Sequence, residues 1–164
     1  MLDPLIEKER ILVELKSKLP QSSIDRARGN AYSKRRTRPC GLTIHPGIGC
    51  ALGCLYCHLQ DMGLWEGVEL SLLSGEELVV SLLLNPRFVP GRYGTFLAFG
   101  SICEPFHHEI SGKTIEYLDA IDRWHGNPCQ ISTKMEVSEE LARHLSDLKI
   151  SPLVSIDPEK SGNP

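Results

Sequence analysis

Residues 4–18, PLIEKERILVELKSK, set Leu5, Ile6, Leu12, Val13 and Leu15 among charges with a roughly helical repeat, which predicts an amphipathic N-terminal helix. Leu19-Pro20 and the polar QSS end it. The following RARGNAYSKRRTRP has no apolar periodicity and reads as an extended connection or flexible arm. From Cys40 onward, short apolar runs alternate with helix-period segments, the pattern of a βα series with a mostly parallel sheet. Strands are predicted at 41–45, 95–99, 129–132 and 152–156. The first helix between them opens at Ser74 with Glu77 three residues on, a capping-box spacing, carries Leu78, Leu82 and Leu83, and stops at Pro86. A second covers 113–124 with Leu118, Ile121 and Trp124. A third covers 138–148 with Leu141, Leu145 and Leu148 at i, i+4 and i+7.

Composition adds limits. The chain of 164 residues is 41% hydrophobic, enough to bury a core and too apolar for a disordered chain. Its longest nearly continuous apolar run, Leu78 to Leu84, is far short of the roughly 20 residues of a membrane span. Asp3, Glu7, Glu9 and Glu14 are foreign to a secretory signal, so a cytoplasmic protein is expected. The net charge of −3 hides an asymmetry: residues 26–38 hold Arg26, Arg28, Lys34, Arg35, Arg36 and Arg38 and no acid, which leaves the rest of the chain at −9. Such a stretch, with Tyr32 inside it, has the composition of a phosphate-contacting arm, and equally that of a solvated linker.

In a reducing compartment the six cysteines are read for metal or redox chemistry before disulfides. Cys50, Cys54 and Cys57 form a C-x3-C-x2-C cluster, while Cys40, Cys103 and Cys129 stand outside its spacing. Three thiolates on one loop can hold three irons of a cubane 4Fe-4S cluster and leave the fourth iron open to a ligand. Gly47, Gly49 and Gly53 let the backbone turn tightly around them. The alternatives are a zinc site, with His45 or His58 as fourth ligand, and an electron carrier, for which four cysteines per cluster would be normal. In a parallel α/β sheet, ligands gather at the carboxyl ends of the strands. Those ends are the cysteine loop, Gly100 to His108, Thr133-Lys134 and Ser155.

The stretch GCALGCLYCHLQDMG, with Glu104-Pro105 after the second strand and Ser-Thr-Lys at 132–134, resembles the radical S-adenosylmethionine superfamily, and within it the spore photoproduct lyase-like branch. The resemblance covers roughly Cys40 to Ile156. It implies a partial TIM-type (β/α) barrel over residues 40–164, preceded by an N-terminal helix and basic arm over residues 1–39. It also implies a 4Fe-4S cluster on Cys50, Cys54 and Cys57 that binds S-adenosyl-L-methionine. The expected reaction is reductive cleavage to a 5'-deoxyadenosyl radical and hydrogen abstraction from a substrate, DNA or another nucleic acid. An iron-sulfur or zinc-binding module without that chemistry is the alternative.

Residue by residue, the resemblance places Lys134 at the carboxylate of S-adenosylmethionine and Ser155 at its ribose. Ser101 or Glu104 falls at its amino group, where FGSICEP departs from the usual Gly-Gly-Glu-like segment. Tyr56 is expected over the cluster or adenine, and Cys103 as a hydrogen donor. His107 and His108 read as a surface pair. The partners implied are a one-electron donor of flavodoxin or ferredoxin type, a nucleic acid along residues 26–38, and a second chain or oligomer completing a barrel that carries about four strands here. No membrane partner is expected.

Overall fold

A computed structural model describes residues 3–39, 41–50, 52–64, 67–149 and 153–156, with residues 155 and 156 described by their backbone alone. Four strands, β1 (Leu42–Ile44), β4 (Leu97–Phe99), β5 (Cys129–Thr133) and β6 (Leu153–Ile156), form one parallel sheet in the order β1-β4-β5-β6. Leu42 pairs with Leu97, Leu97 with Cys129, and Ser132 with Ser155. Between β1 and β4 lie a two-stranded antiparallel ribbon, β2 (Gly47–Ile48) with β3 (Glu69–Leu70), and helix α3 (Gly75–Leu84). Helix α4 (Ser111–Trp124) joins β4 to β5, and α5 (Glu139–Asp147) joins β5 to β6. The predicted strands and helices of the βα series are therefore present, the strand ends within two residues of those predicted. The architecture is mixed α/β with a parallel four-stranded sheet.

Helix α3 sits at the centre. Leu78, Val79, Val80, Leu82 and Leu83 are all buried, as a helix that is apolar on every side requires. It packs on α4 and on two N-terminal helices, α1 (Pro4–Lys18) and α2 (Gln21–Gly29). In α1 the buried side chains are Ile11 and Leu15, one turn apart, while Leu5, Ile6 and Val13 stay exposed. The helix was legible, but the apolar residues counted for it lie largely on the face turned to solvent.

The first half of the basic stretch is folded and not an extended or flexible arm. Residues 21–29 are helical, with Ser23, Ile24 and Ala27 buried against the core, and Ala31–Ser33 make a 3-10 turn. Arg26 donates to the Glu77 carboxylate at 2.5 Å. The Asn85 side-chain amide donates to the carbonyls of Tyr32 (2.7 Å) and Arg35 (2.8 Å). Arg35 itself donates to the Thr43 carbonyl at 3.1 Å, tying the turn to β1.

Glu77 closes the capping box that the sequence predicts. Its carboxylate accepts from the Ser74 backbone N–H at 2.9 Å, and Ser74 Oγ accepts from the Glu77 N–H at 3.2 Å. Burial pushes the Glu77 carboxyl up, but hydrogen bonds from Arg26, Ser23 and the Ser74 backbone outweigh it and hold the group below the ordinary carboxylate range. Glu77→Ala should therefore lower stability at neutral pH by about 2 kcal/mol, the combined size of a lost cap and a charge-assisted bond. A depressed pKa stabilises the fold above the unfolded carboxylate value, so the wild-type advantage should shrink as pH falls through that range. Denaturant melts of both proteins at pH 7 and pH 3.5 check both statements.

Among the described residues no helix is long and apolar enough to cross a membrane.

Candidate functional site

The carboxyl ends of β1, β4 and β5 open on one cavity of about 350 Å³. Cys50, Cys54 and Cys57 line it from the loop side, with His58 and the apolar Leu52 and Leu59 beside them. Gly100, Ser101, Cys103 and Glu104 line it from the exit of β4, and Ser132, Thr133 and Lys134 from the end of β5. Residues some 80 positions apart in the chain thus face one space, where a parallel sheet places its ligands.

The loop is held by backbone bonds. Gly49 N–H donates to the Ile102 carbonyl (3.0 Å), Cys50 N–H to the Leu64 carbonyl (3.2 Å) and Cys57 N–H to the Cys54 carbonyl (3.0 Å), while the Gln60 amide donates to the Cys54 carbonyl at 2.8 Å. Glycine is required at two points of this rim. Gly49 has φ +93° and a Cβ there would meet the Gly67 carbonyl at 1.9 Å; Gly100 has φ +97° and a Cβ would meet the Ser132 carbonyl at 2.3 Å.

Glu104 is buried and ties β4 to β5. One carboxylate oxygen accepts from the Thr133 hydroxyl and from the Phe106 N–H (3.2 Å), the other from the Lys134 N–H (2.9 Å). The Lys134 ammonium crosses to the cysteine loop, donating to the Tyr56 hydroxyl and lying 4.7 Å from the centre of that ring. Tyr56 and Lys134, predicted from separate motifs, therefore meet. Cys103 is buried in the wall, and desolvation pushes its thiol up to about 12, so it is a neutral S–H. Ser155 pairs with Ser132 by register, and its side chain lies outside the described residues, as does Cys40. Cys129 is in the core at the opposite end of β5, away from the cavity.

Thr133, placed at a strand end by the sequence, was given no role of its own there. Its signal was the strand's alternation, which turns Cys129, Ile131 and Thr133 to one buried face. The pairing of His45 with Arg35, two residues read separately in the sequence, was missed. Arg35 Nη1 lies 3.1 Å from His45 Nε2, and His45 Nδ1 lies 3.4 Å from Ser101 Oγ. Burial first, and the Arg35 charge second, push the His45 imidazole down to about 4, so it is neutral. With both ring nitrogens engaged, His45 is not placed to be the fourth ligand of a zinc site.

Among the described residues, the group of three Cys, His, Asp or Glu side chains whose ligand atoms lie within 4.8 Å of one another is His107, His108 and Glu109, not the cysteines. Cys50, Cys54 and Cys57 line the cavity instead, and thiolates are soft ligands of the kind that bind iron or zinc.

No family model and no solved structure matches the chain. Over 68 residues, 42% of the chain, it is 37% identical to a protein of Ectopseudomonas mendocina (strain ymp) named "Probable RNA methyltransferase". The matched stretch is 17% of that relative's length. This finding corrects the reaction expected from the sequence. The relative is named for transferring a methyl group to RNA, which is neither reductive cleavage with hydrogen abstraction nor a lyase reaction on DNA. The hydrogen-donor role expected of Cys103 belonged to that chemistry.

Proposed function

We propose that this chain is the cofactor-binding part of an S-adenosylmethionine-using enzyme that acts on RNA by methyl transfer. One observation carries the reading: a single cavity at the strand ends collects all three loop cysteines, Glu104, Ser101 and Lys134. Its apolar rim of Leu52 and Leu59 suits the body of an adenosyl ligand, and its few convergent polar groups suit the amino acid end. The partial likeness to a named RNA methyltransferase supports the reaction class.

In this reading Cys50, Cys54 and Cys57 hold a 4Fe-4S cluster, as the loop's resemblance to the radical S-adenosylmethionine superfamily implies, and the three βα units with the fourth strand are part of a (β/α) barrel. A bound cluster supplies an open iron site, and S-adenosylmethionine supplies an activated methyl group. The chain's own groups bind and orient. Lys134 places a cation at the cavity mouth, Glu104 a carboxylate at its floor, and Leu52 and Leu59 exclude water. RNA is the expected partner of the exposed Lys34, Arg36 and Arg38, which extend from the turn behind β1.

The test is anaerobic reconstitution with iron and sulfide, followed by binding of S-adenosylmethionine carrying a labelled methyl group and incubation with RNA. Bound iron and sulfide, retention of the cofactor, and salt-sensitive RNA binding are expected. Stoichiometric zinc in protein purified without oxygen, or no cofactor binding by the iron-loaded chain, would overturn the reading.

A further inference from the structure

The polarity of one hydrogen-bond chain leaves the Ser101 proton free to donate. A guanidinium has donors only, so in the Arg35–His45 contact at 3.1 Å the imidazole Nε2 must accept. A neutral imidazole that accepts at Nε2 carries its hydrogen on Nδ1. That hydrogen points along the 3.4 Å contact to Ser101 Oγ, which therefore accepts. The Ser101 hydroxyl has no other partner among the described residues, and the residue lines the cavity. Its own proton is left to face the cavity.

Arg35 is held to this task from several sides. It donates to Thr43 Oγ1 at 3.1 Å, its carbonyl is held by Asn85, and its guanidinium lies 5.2 Å from the centre of the Tyr32 ring. The Tyr32 hydroxyl accepts from the His45 N–H at 2.6 Å, which fixes the backbone that carries the imidazole. A cation at the far end of the chain polarises every bond after it toward donation into the cavity.

Resting on the cofactor reading above, we infer that Arg35 and His45 leave the Ser101 proton free to donate, and that Ser101 recognises the carboxylate of S-adenosylmethionine. Arg35 and His45 are positioning residues and Ser101 touches the ligand. The sequence expects Ser101 or Glu104 at the amino group; here Ser101, with its proton unspent, is assigned to the carboxylate, and Glu104 to the amino group. The carboxylate is favoured over a neutral acceptor because Lys134 lines the same cavity.

The test compares S-adenosylmethionine with its decarboxylated analogue, by equilibrium dialysis against the iron-loaded chain. Ser101→Ala and His45→Leu should each weaken S-adenosylmethionine roughly tenfold, the scale of one hydrogen bond to a charged group, and leave the analogue's binding unchanged. His45→Gln, which keeps an acceptor toward Arg35 and a donor toward Ser101, should restore most of the loss. A general structural defect would weaken both ligands alike. Equal losses for the two ligands, or none, with normal binding by the wild type would overturn this inference alone. Failure of the wild type to bind either ligand would overturn the cofactor reading and this inference with it.

Discussion

Changing any one of Cys50, Cys54 or Cys57 to alanine should take the reconstituted chain from about four bound irons to fewer than one. The three thiolates come from a single eight-residue loop, so no neighbouring element can replace a missing one without moving the backbone bonds of Gly49, Cys50 and Cys57. Alanine is preferred to serine in this test because a serine oxygen can still ligate. Far-ultraviolet circular dichroism should not change, since the core around α3 makes no use of these side chains. Cys103→Ala is the informative comparison. Cys103 lines the same cavity, but burial keeps it a neutral thiol. Its variant should keep its iron. Iron retained in Cys54→Ala, or lost in Cys103→Ala, would show that the ligand set is not the loop triad.

The grouping of these cysteines on one loop could be read from the sequence because its determinants are local: three cysteines at close spacing, glycines between them, and a strand before them. The same holds for α3, whose capping box and all-round apolar face lie within eleven consecutive residues. Helix α2 was not legible. Its sequence QSSIDRARG offers only Ile24 and Ala27 to the core, and the rest is polar; its helicity comes from packing on α3 and from the Arg26–Glu77 bond, 51 residues apart. Charge composition misled in the same place, since Arg35 reads as one more cation in a basic run and is in fact a donor to β1 and His45. The β2–β3 ribbon was missed for a related reason: two residues per strand carry no alternation to detect.

The site is legible where single residues follow strands, and illegible where its function depends on which partner each residue meets. Glu104 shows the difference. As a sequence feature it is a carboxylate near the end of a strand; in the fold it is the joint between β4 and β5. Without it the residues at 100–104 and 132–134 would have no side-chain bond in common at the cavity floor. A ligand reading β4 and β5 together depends on that joint before it depends on any contact of its own.

Glu104→Ala should accordingly be the most damaging single change outside the cysteines. It leaves the buried Thr133 hydroxyl and the backbone N–H groups of Phe106 and Lys134 without acceptors. At about 1 kcal/mol or more for each orphaned group, the expected loss of stability is about 3 kcal/mol, read from denaturant melts. Amide hydrogen exchange at Phe106 and Lys134 should quicken, while exchange in α3 should follow the global stability alone. Glu104→Gln separates the two roles of the group. The amide keeps one oxygen as acceptor and costs about 1 kcal/mol in stability. It removes the negative charge, however, so binding of S-adenosylmethionine should fall by more than the stability does. A stability loss within about 0.5 kcal/mol for the alanine variant, the range of an ordinary surface change, would mean that the joint is held by the backbone alone. Equal cofactor affinity in Glu104→Gln and wild type would remove Glu104 from the amino end of the ligand and leave it a purely structural tie between the strands.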